Sequence, residues 1–108
     1  MGSTAEHQDL VNEILKKYGA HQYLTIWKNA TGMAFRGETC IKFGLKGSAD
    51  ILGIMKPYGR FIAIECKSGK AQQSAQQKAF QKMIIDFGGV YIVARSIEDV
   101  DNLILNHI

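Results

Sequence analysis

Two short apolar runs flank a turn-forming triplet in the middle of the chain, and together they dictate a β-hairpin. The runs are residues 50–56 and 61–67, and Pro57-Tyr58-Gly59 lies between them. Proline presets φ for a reversal and glycine tolerates the left-handed region, so the triplet marks a turn. Charged residues stand at the outer ends of the runs: Asp50 at the head of the first, Glu65 and Lys67 at the tail of the second. Acidic side chains are rare inside apolar strands, because burying a charge is costly unless it is paired or binds a metal.

Register decides whether these three groups meet. With the turn centred between Tyr58 and Gly59, Asp50 faces Lys67 and Leu52 faces Glu65. Directly opposed residues share a face of the sheet, as do residues two apart. Asp50, Glu65 and Lys67 are then expected at one end of one face. A three-residue loop would break that arrangement by shifting the parity.

The rest of the chain reads as alternating helices and strands. Residues 4–18 carry Leu10, Val11, Ile14, Leu15 and Tyr18 at helical spacing, with Gly19 as the stop. Ser3 and Glu6 fit a capping box at its start. Residues 22–28 read as a strand broken by Asn29-Ala30-Thr31-Gly32, and 33–46 as a loop or an irregular hairpin. A helix over about 74–87 opens on a second capping box, Ser74 and Gln77, with Ala79, Phe80, Met83, Ile84 and Phe87 as its apolar stripe. After Gly88-Gly89, the run Val90–Ala94 predicts a strand buried on both faces. Ser96 and Asp99 open a last helix whose inner face is Ile97, Val100, Leu103 and Ile104. The order α-β-β-β-α-β-α predicts an α/β domain over 1–108: a central mixed sheet flanked by helices.

Net charge is +3, but Glu98, Asp99 and Asp101 sit near the end, and residues 1–97 hold 13 basic against 7 acidic side chains, a balance of +6. That suits an anionic partner such as nucleic acid, although many domains carry such charge for solubility alone. No apolar run approaches the roughly 20 residues of a membrane span. Without a basic-then-apolar leader, and with two cysteines at no metal-ligand spacing, an intracellular protein with reduced thiols is expected.

Two carboxylates and a lysine at one strand end are the groups that phosphodiester hydrolysis needs. Mg²⁺ prefers hard oxygen ligands and keeps several waters, so two carboxylates can hold it and leave room for substrate. A nearby lysine can orient the attacking water and offset negative charge. Glu-X-Lys alone also occurs as a plain cross-strand ion pair, and Lys67 pairing with Asp50 is the structural alternative.

The ordered motifs add to this. A helical Glu near the start, Gly44 followed by Gly47-Ser48-Ala49-Asp50, Phe61-Ile62-Ala63-Ile64-Glu65-Cys66-Lys67, and Ser74-Ala75-Gln76-Gln77-Lys78-Ala79-Phe80 resemble the virus-type replication-repair nuclease domain (VRR-NUC) over nearly the whole chain. That domain belongs to the PD-(D/E)XK, restriction-endonuclease-like superfamily. The resemblance implies an α-β-β-β-α-β core and a Mg²⁺- or Mn²⁺-dependent DNA nuclease. Asp50 and Glu65 would be the metal carboxylates, the Cys66 backbone carbonyl a further ligand, and Lys67 the catalytic lysine. Gln77 matches the glutamine of the second helix, and Glu6 the acidic residue of the first. The sequence departs from the pattern at Ala49, where proline is usual, and at Cys66 inside Glu-X-Lys. The resemblance further implies a homodimer acting on branched or structured DNA, in the cytoplasm or nucleoid, or in a host cell if viral.

Several residues have plainer readings beside these. Glu6 and Gln77 either cap their helices or serve the site. Glu13 is the other acid of the first helix, and pairs with Lys17 one turn on. Lys42, Lys46, Lys70 and Lys78 flank the proposed site as candidate phosphate contacts, each with a solvated lysine as the alternative. His7, His21 and His107 share no metal spacing, and Trp27 and Tyr23 are expected in the core or an interface. The competing function is a non-catalytic nucleic-acid-binding module on the same fold.

Overall fold

The computed structural model describes residues 5–107, so the expected Ser3 cap lies outside the described residues. The elements are α1 (Ala5–Tyr18), β1 (Leu24–Lys28), β2 (Gly32–Arg36), β3 (Thr39–Phe43), β4 (Ile51–Met55), β5 (Arg60–Cys66), α2 (Ala75–Asp86), β6 (Val90–Ala94) and α3 (Ile97–His107). Four strands form one sheet in the order β1-β4-β5-β6, and β2 with β3 forms a separate two-stranded ribbon. β1, β4 and β5 are antiparallel to their neighbours, whereas β6 joins β5 in parallel. The chain is therefore α/β with a mixed sheet between helices, and the α-β-β-β-α-β order is present once the ribbon is set aside. Among the described residues no helix is long and apolar enough to cross a membrane.

The two faces of the sheet are covered unequally. Leu24, Ile26, Ile51, Met55, Ile62, Ile64, Cys66, Val90 and Ala94 face α1 and α3 and form the larger core with Leu10, Val11, Ile14, Tyr18, Val100 and Ile104. Removing that much apolar surface from water is the main favourable term in folding. Lys17 Nζ donates to Asp101 Oδ1 at 2.8 Å, in place of the pairing expected with Glu13, and the Tyr18 hydroxyl donates to the same oxygen, which ties α1 to α3. On the other face a smaller cluster of Ala49, Ala63, Phe80 and Ile84 seats α2, with Leu52, Phe61 and Tyr91 half-buried around it.

Three expectations need correction. β4 and β5 pair Ile51 with Ile64, Leu52 with Ala63 and Met55 with Arg60. The turn is residues 56–59, centred one position earlier than expected, because Arg60 already belongs to the ladder. Leu52 therefore faces Ala63 rather than Glu65, and Asp50 aligns with Glu65 rather than Lys67. The α2 stripe is only partly buried: Phe80 and Ile84 are covered, but Phe87 is 90% exposed at the C-cap. Finally, β6 packs on both faces, Val90, Ile92 and Ala94 against the larger cluster and Tyr91 against the smaller, but as an edge strand its three central residues are only half-buried.

Candidate active site

Asp50 sits in the bend just before β4, and three contacts hold the backbone there. Asn29 donates from its backbone N to Asp50 O at 2.8 Å, and from Nδ2 to Ser48 Oγ at 2.7 Å and Ala49 O at 2.9 Å. Ala49 is buried, which leaves little space for a larger residue before the aspartate. Gly47 completes the approach. Its φ is +85°, and a Cβ there would lie 2.6 Å from the carbonyl carbon and oxygen of Gln76. The loop that delivers Asp50 thus rests backbone-to-backbone on the start of α2. Gly47→Ala is expected to cost about 2 kcal/mol, because both the left-handed φ and the contact are denied. Thermal melting would read this as a fall of roughly 10 °C; an unchanged melting temperature would show that the contact is dispensable.

The Asp50 side chain is fixed from two sides. Its Oδ2 accepts from the Cys66 backbone N at 2.8 Å and lies 3.2 Å from His7 Nε2 on α1. Glu65, on β5, is the one charged side chain of the buried core among the described residues, 2% exposed. Its Oε2 accepts from Gln77 Nε2 at 3.0 Å and lies 3.7 Å from Lys67 Nζ. The expected convergence of Asp50, Glu65 and Lys67 is present, and the lysine pairs with Glu65.

Gln77 both caps α2 and reaches Glu65. Its Oε1 accepts from Ser74 N at 2.8 Å while its backbone N donates to Ser74 Oγ at 3.1 Å, so the capping box is complete. A backbone N–H can only donate, so the amide oxygen must face Ser74 and the amide nitrogen must face Glu65.

Burial drives the Glu65 carboxyl up to about 8, the Asp50 carboxylate beside it adds to the rise, and Lys67 opposes it. Burial also lifts the Cys66 thiol to about 12, so that side chain stays neutral. Glu65 Oε1 is buried with no hydrogen-bond partner. Once Glu65 ionises, an unsatisfied buried carboxylate oxygen is costly, and a divalent cation is a group that would satisfy it. Among the described residues no set of three or more His, Cys, Asp and Glu side chains is arranged to hold a metal. The donors on offer are two carboxylates, with backbone oxygen and water to complete the shell, which suits a hard, water-retaining ion such as Mg²⁺.

The remaining expected residues are dispersed. Glu6 is exposed in the first turn of α1, and its neighbour His7 is the α1 residue at the site. Lys42, Lys46, Lys70 and Lys78 are all exposed. Lys42 and Lys46 line a cleft of about 300 Å³ with Thr31, Met33, Gly44 and Gly47. Trp27 pairs with Leu52 and is 47% exposed on the edge strand, outside the core.

No family model and no curated protein sequence matches the chain.

Proposed function

We propose that this chain is a divalent-metal-dependent nuclease of the VRR-NUC kind, hydrolysing phosphodiester bonds in DNA, with branched or junction DNA as its preferred substrate. The observation that carries this is the buried Glu65, with one oxygen unsatisfied, set beside Asp50 and Lys67 at one end of the sheet. A purely structural ion pair would not need a second carboxylate that makes the first harder to ionise.

In this reading Asp50 and Glu65 hold Mg²⁺ or Mn²⁺, with the Cys66 carbonyl as a further donor. The bound ion would supply positive charge against the phosphate and acidify nearby water. The Cys66 N–H and His7 keep the Asp50 carboxylate in place, and Gln77 does the same for Glu65. Lys67, tethered to Glu65, offsets negative charge on the phosphate and orients the attacking water. Exposed Lys42, Lys46, Lys70 and Lys78 are the proposed phosphate contacts. A homodimer would present two such sites to two strands, and the reading implies an intracellular setting.

The test is cleavage of labelled duplex, flap and four-way-junction DNA with Mg²⁺, Mn²⁺ or EDTA, comparing wild type with Lys67→Ala. Metal-dependent cutting that falls about 100-fold or more in the variant is expected. Tight binding without cutting by either protein would leave a nucleic-acid-binding module.

A further inference from the structure

Lys42 apart, the β2–β3 ribbon has no place in the chemistry above, and its surface is unusual. Every side chain described in its two strands is exposed, including Met33 at 58%, Phe35 at 70% and Ile41 at 46%. An isolated two-stranded hairpin is marginal in water, and clustered open apolar side chains mark a surface that meets something. The register pairs Met33 with Lys42 and Phe35 with Cys40, placing these four on one face. Ala34, Arg36, Thr39 and Ile41 occupy the other. Lys28 at the approach, Arg36 and Lys42 on the strands, and Lys46 at the exit stand against one acid, Glu38 in the turn.

We infer that this ribbon is an arm that enters a groove of duplex DNA beside the phosphate to be cut. The inference rests on the nuclease reading for its placement. The excess of cations selects an anionic partner, and the shape selects a duplex. Strands of five residues extend roughly 17 Å and lie about 4.8 Å apart, a ribbon that the major groove, about 12 Å wide, admits. Single-strand binders instead present successive aromatic rings for stacking, and Phe35 is the sole aromatic among the arm's described side chains. The root of the arm opens on the cleft lined by Lys42 and Lys46. Asn29 joins that root to the backbone of Asp50. A duplex held by the arm is thereby registered against the site, with the cleft lysines on its phosphates and Met33 and Phe35 against base edges or sugars.

The test is binding without cleavage. Fluorescence anisotropy in EDTA compares a labelled duplex with its separated strand, for wild type, an Arg36→Glu/Lys42→Glu variant, and a variant with residues 33–42 replaced by a short glycine linker. Circular dichroism confirms that each variant is folded. The charge-reversed protein is expected to bind duplex at least about 10-fold more weakly, with a shallower salt dependence, and to lose distinctly less affinity for single strand. Unchanged duplex affinity in both variants overturns the arm. So does an equal loss on duplex and single strand, or a native mass that halves when the ribbon is removed, which would place a second copy of the chain on it. Arm-dependent duplex binding by a wild-type protein that never cuts would support the arm while sinking the nuclease reading.

Discussion

Asp50→Asn is expected to lower metal-dependent cleavage by about 100- to 1,000-fold or more while leaving the fold intact. The substitution removes one charge and almost no volume. The amide oxygen can still accept from the Cys66 N–H that Asp50 Oδ2 now engages at 2.8 Å. What is lost is half of the carboxylate pair. Asp50 is also the like charge that helps hold the Glu65 carboxyl up near 8, behind burial as the main cause. In the variant the Glu65 carboxyl should ionise at lower pH, so the metal-free protein should be as stable as wild type or more so. Cleavage rates and thermal melting of the same preparation give both readings. A variant that cuts at the wild-type rate would remove Asp50 from the site, and one that melts far earlier would make it a structural residue.

Glu65→Gln should change how stability depends on pH. The Glu65 carboxyl lies near 8 in the fold against 4.5 as its ordinary value. Below pH 4.5 it is protonated in both folded and unfolded chains and costs nothing. Between 4.5 and 8 the unfolded chain releases a proton that the folded chain retains, so stability falls as pH rises, and levels off above 8. Glutamine imitates the neutral acid and removes that decline. At pH 8 the metal-free variant should be more stable than wild type by on the order of 2 kcal/mol, roughly 10 °C in melting temperature, with the gap closing toward pH 4. Mg²⁺ or Mn²⁺ should raise the melting temperature of wild type at pH 8 and leave the variant unmoved, because a ligand stabilises only the state that binds it. Parallel pH profiles for the two proteins would show that Glu65 is not held protonated in the fold.

The convergence of Asp50, Glu65 and Lys67 was legible because it depends on parity alone. The turn is centred one position earlier than its residues suggest, which shifts the register by two and leaves every side chain on its expected face. Which partner Lys67 takes was not legible, since that is a matter of two residues along the strand. The role of His7 had a signal that went unused. The α1 stripe of Leu10, Val11, Ile14 and Tyr18, carried back one turn at three- and four-residue spacing, reaches His7 before Glu6. Asn29 read only as a strand breaker, because its contacts with residues 48–50 span some twenty positions and leave no local pattern. The partial burial of α2 was hidden for a related reason. Periodicity reveals an apolar face but not how much sheet lies beneath it, and the buried apolar residues under α2 are those of the small cluster.

Gln77 has little freedom to vary. It must offer an acceptor to Ser74 N and a donor to Glu65 Oε2 from one terminal group. Glutamate keeps the acceptor but sets a second negative charge against Glu65. Lysine keeps a donor but leaves Ser74 N without its acceptor, so only the Ser74 Oγ half of the capping box survives. Asparagine has both functions on a stem one methylene too short, and alanine has neither. Only a side-chain amide at this reach serves both ends, so the start of α2 and the aim of Glu65 tolerate or lose a substitution together.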